Sequence, residues 1–218
     1  MEIVALSVSE PKTILHNGKE LSTGIYKSPV QGPRMVRRTN IDGDGQADLN
    51  VHGGPNKAVY AFPFEHYAFY QERFGQEPFD FGHFGENLTT SGLLEPDVRI
   101  GDRYRVGEVL FEVSQPRSPC FKFGIKMGSR EAIRACFSSG KTGFYLRVLE
   151  EGMIQPGDVI EHEFTNDAAP SVEEAHRLYY FDKQNTEALK RAVRCAALAA
   201  PFRDEFVDRL QKLGVKAD

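Results

Sequence analysis

The chain has 218 residues, of which 40% are hydrophobic and 11% aromatic, so one large domain, or a medium domain with a small appendage, can bury a real core. Its 27 basic and 31 acidic side chains give a net charge of −4, which argues against a general attraction to nucleic acid or to an anionic membrane. No apolar run approaches the roughly 18 residues that a membrane span needs, and an acidic second residue does not suit an export signal. These features predict a cytoplasmic globular protein.

The first three quarters of the chain alternate short β-type runs with clusters of Gly, Pro, Asn and Asp. This spacing predicts a β-barrel or a sandwich, with strands in EIVALSV, KAVYAF, VRIGDRYRVG, EVLFEVSQ, TGFYLRVL and GDVIEHEF. Two helical insertions are predicted, at 64–74 and 129–137. The first carries an aromatic stripe at helical spacing, which we interpret as core packing rather than a cofactor contact: Phe64, Tyr67, Phe69 and Tyr70.

The pattern becomes helical after residue 170. Ser171 stands three residues before Glu174, which is a capping-box signature, and a second periodic run follows in TEALKRAVRCAALA. A third helix is predicted to begin at Pro201 and to end at Gly214. We therefore predict a β domain at 1–166 and a three-helix domain at 167–218. Three short helices cannot bury both of their faces, so we expect them to pack on the β domain or on a second subunit, which favours a homodimer.

The three cysteines are widely spaced and form no CxxC pair, which argues against a disulfide framework or a structural zinc site. Cys136 and Cys195 lie in apolar helical runs and are predicted to pack in the core. Cys120 ends the segment QPRSPC and has two readings. It is either a small buried hydrophobe, or a thiolate beside Arg117 that acts as a nucleophile or as a soft-metal ligand. A Cys–His hydrolase that uses His52 stays open on residue types alone.

Three loops carry residue types that suit an anionic ligand. In LNVHGGPNKAVYAF, His52 precedes two glycines and Lys57, so backbone amides and charge are available together. GIYKSPVQGP places Lys27 and Ser28 beside Pro and Gly, and FGENLTTSGL places Asn87 in a glycine-bounded loop. Each pattern by itself also fits an ordinary solvated loop.

Four ordered segments together resemble the MOSC domain: GDGQADLNVHGGPNKAVYAF, FGENLTTSGL, IGDRYRVGEVLFEVSQPRSPCFKFG and TGFYLRVLEEGMIQPGDVI. The resemblance covers nearly the whole chain and is to the YiiM-type branch, in which a β-barrel with helical insertions precedes a small three-helix domain. It implies a molybdenum cofactor, a molybdopterin whose dithiolene supplies two sulfurs to the metal while one protein cysteine is a further ligand. The matching position is Cys120.

The same resemblance implies roles for the residues around Cys120. Pro116 and Pro119 restrict the backbone and would hold the thiolate at a fixed point, while Arg117 would help to keep it deprotonated. Contacts to the phosphate and the pterin ring are expected from seven residues: Lys27, Ser28, His52, Lys57, Asn87, Arg117 and Ser118.

Related MOSC proteins reduce N-hydroxylated compounds such as amidoximes and hydroxylamino-base analogues. The resemblance thus implies a detoxifying oxidoreductase that removes oxygen from an N–OH group. The chain has no flavin or iron–sulfur motif, so a separate reductase is expected to supply electrons. One alternative is a carrier that holds the cofactor, or passes sulfur through Cys120, without turnover. Another is a cofactor-free hydrolase or a scaffold. Neither nucleic acid nor a membrane is expected as a partner.

Overall fold

A computed structural model describes residues 1–48, 53–75 and 77–216. Within these ranges the chain forms the strands β1 Glu2–Val8, β2 Lys12–His16, β3 Lys19–Thr23, β4 Ser28–Pro29, β5 Arg34–Val36, β6 Val59–Pro63, β7 Leu88–Ser91, β8 Arg103–Val106, β9 Val109–Pro116, β10 Phe144–Glu150, β11 Gly152–Ile154 and β12 Glu161–Phe164. The helices are α1 Tyr67–Phe74, α2 Phe121–Lys126, α3 Arg130–Ser139, α4 Val172–Tyr180, α5 Thr186–Arg194 and α6 Ala200–Lys212. Short 3-10 helices cover Pro55–Lys57 and Phe64–His66.

One mixed sheet organises the described part of the chain, with eight strands in the order β12-β8-β9-β10-β6-β7-β1-β4. Adjacent strands of this sheet are antiparallel, except for β6 and β7, which are parallel. The segment before β12 also pairs with β1, through a bridge between Glu2 and Val159. Because this bridge joins strands from opposite ends of the sheet, the sheet curls into a partly closed barrel. The mixed β-rich fold with helical insertions that the sequence predicts is confirmed.

The structure corrects two local predictions. Residues 88–91, which the sequence analysis places in a loop, form β7 and pair with both β1 and β6. The helix α2 was missed, because six residues are too few to show a helical period. A further hairpin, β2 with β3, stands outside the main sheet and turns at Asn17 and Gly18, both of which have positive φ. Both α2 and the segment that follows this hairpin border the site described below.

The three C-terminal helices begin and end close to where the sequence predicts. Ser171 and Glu174 form the expected capping box at the start of α4. The helix α6 carries Pro201 in its first turn, and Gly214 with a φ of 72° follows its end. The predicted helical domain is therefore present as three helices.

The helices and the barrel share one hydrophobic core. Val172, Leu178 and Phe206 belong to the same buried cluster as barrel residues such as Val113 and Phe144. The helices thus cover their apolar faces against the barrel of their own chain. Their amphipathic pattern no longer argues for a second subunit, and the homodimer stays a prediction.

A second buried cluster is rich in aromatic rings and lies among α1, α2 and α3, with Phe62, Tyr70, Phe84 and Phe123 at its centre. The rings of Phe62 and Phe84 stack with centroids 4.4 Å apart. The predicted aromatic stripe of α1 divides: Tyr67 and Tyr70 are buried here, whereas Phe64 is 46% exposed. Cys136 packs in this cluster, and Cys195 in the larger one, as predicted.

No helix in the described part of the chain combines the length and apolar character needed to cross a membrane.

Candidate active site

An open cavity of about 680 Å³ lies between the glycine-rich loops and the start of α2. Its lining brings together four of the cationic side chains in the described residues with one thiol, and it includes no Asp or Glu from those residues. The cations and the thiol are Lys27, Lys57, Arg117, Lys122 and Cys120.

Cys120 lies in the short connection between the eight-residue strand β9 and the six-residue helix α2. The residue has extended backbone angles, and its carbonyl accepts a hydrogen bond from Phe123 N at 3.0 Å. Pro116 and Pro119 are both buried, so the segment is held on either side of Ser118. The thiol is half-buried, which makes it reachable from the cavity. The rigid presentation that the sequence analysis expects is present, while the role of the thiol stays a prediction.

Arg117 is the most informative side chain of the site. It is only 6% exposed, and its guanidinium lies 5.3 Å from the ring centroid of Tyr60 and 4.8 Å from that of Phe123. Among the described residues, no carboxylate forms an ion pair with it, although a buried cation normally has one. A buried guanidinium that faces a cavity without a carboxylate is suited to bind an anion there.

The guanidinium of Arg117 stays charged in this setting. Burial by itself lowers the pKa of Arg117, but the ionisable side chains around it outweigh that effect and hold the pKa above its ordinary value. These neighbours are Tyr60, Cys136, Tyr145 and Cys120. Arg117 and Cys120 are therefore electrostatically coupled.

Gly53, the first residue of the glycine pair, and Lys57 belong to another wall of the cavity. Gly53 and Gly54 have φ values of 88° and 78°, a region that glycine adopts without strain. Gly53 and Lys57 both line the cavity, and burial lowers the pKa of Lys57. His52, which the sequence analysis adds to this group, lies outside the described residues.

Lys27 and Ser28 differ in their position relative to the cavity. Lys27 lines the cavity and forms a buried ion pair with Asp44, whose carboxylate also accepts a hydrogen bond from Ser9 N at 3.0 Å. Burial lowers the pKa of Lys27, and Asp44 offsets part of that effect. Ser28 lies in β4, exposed, and is not part of the cavity lining. Of the two residues, only Lys27 is placed to contact a ligand in the cavity.

Asn87 lies in the cavity wall, where its amide joins two strands. Its Oδ1 accepts a hydrogen bond from Tyr60 N at 3.1 Å, and its Nδ2 donates to Ser7 O at 3.3 Å. The side chain is 3% exposed, so these bonds fix the spacing of β1 and β6 beside the cavity. The structure therefore gives Asn87 a structural role, in addition to the ligand contact that the sequence analysis predicts.

Ser118 lies at the cavity edge between Arg117 and Cys120 and is exposed. Its Oγ accepts a hydrogen bond from Tyr180 Oη at 2.7 Å. Tyr180 belongs to α4, so the helical domain contacts the cysteine segment directly. Sequence reasoning missed Tyr180, because nothing local in the sequence signals a contact across 62 positions.

Comparisons with known proteins assign the family. The MOSC domain matches residues 48–161, and the YiiM-like, 3-alpha helix domain matches residues 170–213. The chain belongs to the MOSC family. It is 43% identical over 211 residues to the uncharacterized protein YflK of Bacillus subtilis, covering 97% of this chain and 95% of that protein. The predicted resemblance to the YiiM-type branch is confirmed.

Solved structures agree with this assignment. The crystal structure of YiiM from Geobacillus stearothermophilus is 38% identical with a TM-score of 0.82, covering 96% of this chain and 98% of that one. YiiM from Escherichia coli is 25% identical in its crystal structure, with a TM-score of 0.78 over 99% of this chain and 96% of that one. Both likenesses extend over the MOSC barrel and the helices.

One relative bears a functional name. A protein of Gibberella moniliformis called "Reductase" is 38% identical over 146 residues, which is 66% of this chain but 26% of that protein. The MOSC chain therefore spans about a quarter of the length of that relative.

Aromatic side chains that the sequence analysis did not select complete the MOSC cavity. Tyr60, Phe84 and Tyr145 line it, and the rings of Tyr60 and Tyr145 lie 5.4 Å apart. Burial raises the pKa of both tyrosines, so they stay neutral phenols. Such walls suit a flat ring system. The alternation of KAVYAF and TGFYLRVL predicts strands, but it does not show which rings face a cavity.

The buried carboxylate of Glu95 hydrogen-bonds the backbone that positions two walls of the MOSC cavity. Glu95 Oε1 accepts hydrogen bonds from Thr142 N at 3.0 Å and Gly143 N at 2.7 Å, and Glu95 Oε2 accepts one from His66 Nε2 at 2.6 Å. The carbonyl of Thr142 in turn accepts from Tyr60 Oη at 2.7 Å. The carbonyl of Gly143 accepts a hydrogen bond at 3.1 Å from the backbone N–H of Arg117, the residue that follows β9. One carboxylate thus fixes the loop on which Tyr60 and the cysteine segment rest.

We expect Glu95→Ala to lower the free energy of unfolding by at least about 3 kcal/mol, since three donors lose their acceptor and each buried donor left without one costs roughly 1–3 kcal/mol. Urea unfolding followed by circular dichroism measures this change. The control is Asp97→Ala, an exposed carboxylate two positions away, for which a change within about 0.5 kcal/mol is expected. Equal stabilities of the two variants would contradict the supporting role of Glu95.

Proposed function

We propose that this MOSC protein is a molybdenum-cofactor-dependent reductase of N-hydroxylated compounds, with Cys120 as the protein ligand of molybdenum. The observation that carries the proposal is the cavity lining, which unites a reachable thiol with Arg117 and three lysines and includes no carboxylate from the described residues. MOSC membership and a relative named "Reductase" support the redox class.

The residues present fit this cofactor. The group carries an anionic phosphate, a flat polar ring and a soft metal, and the cavity offers a matching chemistry for each. Arg117 is a buried cation without a carboxylate partner among the described residues, which suits an anion. Tyr60 and Tyr145 present rings for stacking, and Cys120 presents a thiol for a soft metal.

The residues have distinct tasks in this proposal. Cys120 supplies a thiolate, and Arg117 stabilises its negative charge. Lys57 and Lys122 supply charge at the cavity edge, where Lys122 Nζ also donates to Ser22 O at 2.9 Å. The bound cofactor would provide the two-electron chemistry that takes oxygen from an N–OH group. The chain itself positions the groups, lines the cavity with aromatic rings and orients the substrate.

The partners follow from the same chemistry. The reaction consumes two electrons, and the sequence has no flavin or iron–sulfur motif, so we propose a separate reductase as the electron donor. The substrate class is a small N-hydroxylated compound, either an amidoxime or a hydroxylamino-base analogue. A cytoplasmic location, a homodimeric state and the absence of nucleic acid and membrane partners belong to the same proposal.

Metal analysis combined with a turnover assay tests the function. We expect the full chain, purified from a cofactor-competent host, to contain molybdenum and pterin in equimolar amounts. It should reduce an amidoxime and a hydroxylamino-base analogue when an artificial electron donor is supplied. The control is the same protein from a host that cannot make the cofactor, which should show no turnover.

The outcomes separate the alternatives. Cofactor without turnover of either substrate would indicate a cofactor or sulfur carrier. Protein that lacks both molybdenum and pterin would leave a cofactor-free hydrolase or a scaffold.

A further inference from the structure

We propose that Tyr180 of the helical domain is a positioning residue for the cavity and acts through Ser118, whose hydroxyl donates a hydrogen bond to an oxyanion bound beside Arg117. The inference rests on the proposed function, because it places a negatively charged ligand next to Cys120. It also gives the helical domain a part in the site.

A single hydrogen bond links α4 to a residue that lines the cavity. Tyr180 Oη donates to Ser118 Oγ at 2.7 Å, and Ser118 lines the cavity together with Arg117 and Cys120 of the same segment. A serine hydroxyl has one proton and two lone pairs. Accepting from Tyr180 uses a lone pair and leaves the proton of Ser118 to donate. Among the described residues the Ser118 hydroxyl donates to no acceptor, and because Ser118 is exposed its proton is free to be donated to water or to a ligand oxyanion that replaces that water in the cavity.

Tyr180 is held firmly enough to orient Ser118. Its ring packs edge-on against Phe137 at 4.6 Å and lies 4.9 Å from the ring of His176, which is 1% exposed. The capping box at the start of α4 and the burial of this helix against the barrel fix its position. Residues carried on such rigid elements place their partners more accurately than residues on loops do.

The protonation state of Tyr180 suits this task. Burial raises the pKa of Tyr180, so its phenol remains a donor in neutral solution. A hydroxyl that accepts a hydrogen bond becomes a better donor itself, because the two bonds polarise each other. Ser118 would therefore donate more strongly to an oxyanion with Tyr180 in place than without it.

The test uses inorganic phosphate as the probe and the full chain prepared without cofactor, with binding measured by calorimetry. We expect Tyr180→Phe to weaken phosphate binding by about two- to tenfold, which corresponds to the net contribution of one hydrogen bond. Ser118→Ala should weaken it at least as much. The double variant should bind no more weakly than Ser118→Ala alone, because Tyr180 acts only through Ser118.

Tyr179→Phe is the matched control. It makes the same change one position earlier on α4, where the ring packs on Phe202 at 4.4 Å and, among the described residues, the hydroxyl makes no hydrogen bond. Phosphate binding should be unchanged in this variant. Thermal unfolding of all variants shows whether they are folded, and Tyr180→Phe keeps the ring that packs against Phe137.

Three results would overturn the inference. The first is a Tyr180→Phe protein that binds phosphate like the Tyr179→Phe control. The second is a loss that persists undiminished in the Ser118→Ala background, since a merely structural effect of Tyr180 would be additive. The third is a wild-type chain that binds no phosphate. None of these depends on molybdenum or turnover, so failure here is distinguishable from failure of the proposed function.

Discussion

Replacing Cys120 with serine should abolish N-reductive turnover while the protein stays folded. A serine hydroxyl is a hard and weakly acidic donor, and it replaces a soft thiolate poorly as a metal ligand. The change in volume is small, and Cys120 is half-buried beside an open cavity, so we expect the substitution to disturb the packing little. The measurement is turnover of an N-hydroxylated substrate per molybdenum atom. Pterin binding can persist, because its contacts are expected at other residues.

The other two cysteines provide controls for this experiment. Cys136 and Cys195 are 1% and 6% exposed, and burial raises the pKa of both thiols, so neither is poised to act as a thiolate. Cys136→Ser and Cys195→Ser should each cost about 1–3 kcal/mol of stability, because each buries a hydroxyl whose nearest carbonyl, that of Lys141 or Ile100, lies 3.8 or 3.7 Å from the present sulfur, beyond an ordinary O–H···O distance. Their turnover should follow the folded fraction. A Cys120→Ser protein that works as fast as the parent would refute the metal-ligand role.

Ending the chain after Asn166 should prevent the barrel from folding stably. The truncation removes α4, α5 and α6 and uncovers the barrel side of the shared core, including the surroundings of Val113. The lost helices bury large side chains such as Phe202, Phe206 and Leu210, and each contributes about 1.5–3 kcal/mol by burial. For these three side chains the loss is about 4.5–9 kcal/mol, which is comparable with the roughly 5–15 kcal/mol by which a typical domain is stable. Aggregation, or loss of cooperative thermal unfolding, is the expected result.

The matching control ends at Val215 and keeps all three helices together with the hydrogen bond from Val215 N to Leu210 O at 2.9 Å. Its unfolding temperature should equal that of the full chain. A truncation after Asn166 that unfolds cooperatively at the temperature of the full chain would show that the barrel is stable by itself. In that case the helices would be free to serve a subunit contact, as the sequence pattern suggested.

The sequence by itself determined the features that depend on neighbouring residues. Short β-type runs predicted six of the twelve strands in the described residues, namely β1, β6, β8, β9, β10 and β12. The spacing of Ser171 and Glu174 predicted the start of α4, because capping involves residues three positions apart. The same holds for Gly214 at the end of α6. The ordered motifs sufficed for the MOSC resemblance, and they selected Cys120 and Arg117, which lie in one short segment.

Only the tertiary structure decided which distant residues meet. It showed that Arg117 is buried without a carboxylate partner among the described residues, that Asn87 ties two strands together, and that Ser28 lies outside the cavity. It also showed that Tyr180 hydrogen-bonds Ser118 and that the three C-terminal helices pack on the barrel of their own chain. These facts depend on contacts between segments far apart in the chain, which form only when the hydrophobic core brings the segments together. Local spacing therefore carries no signal for them.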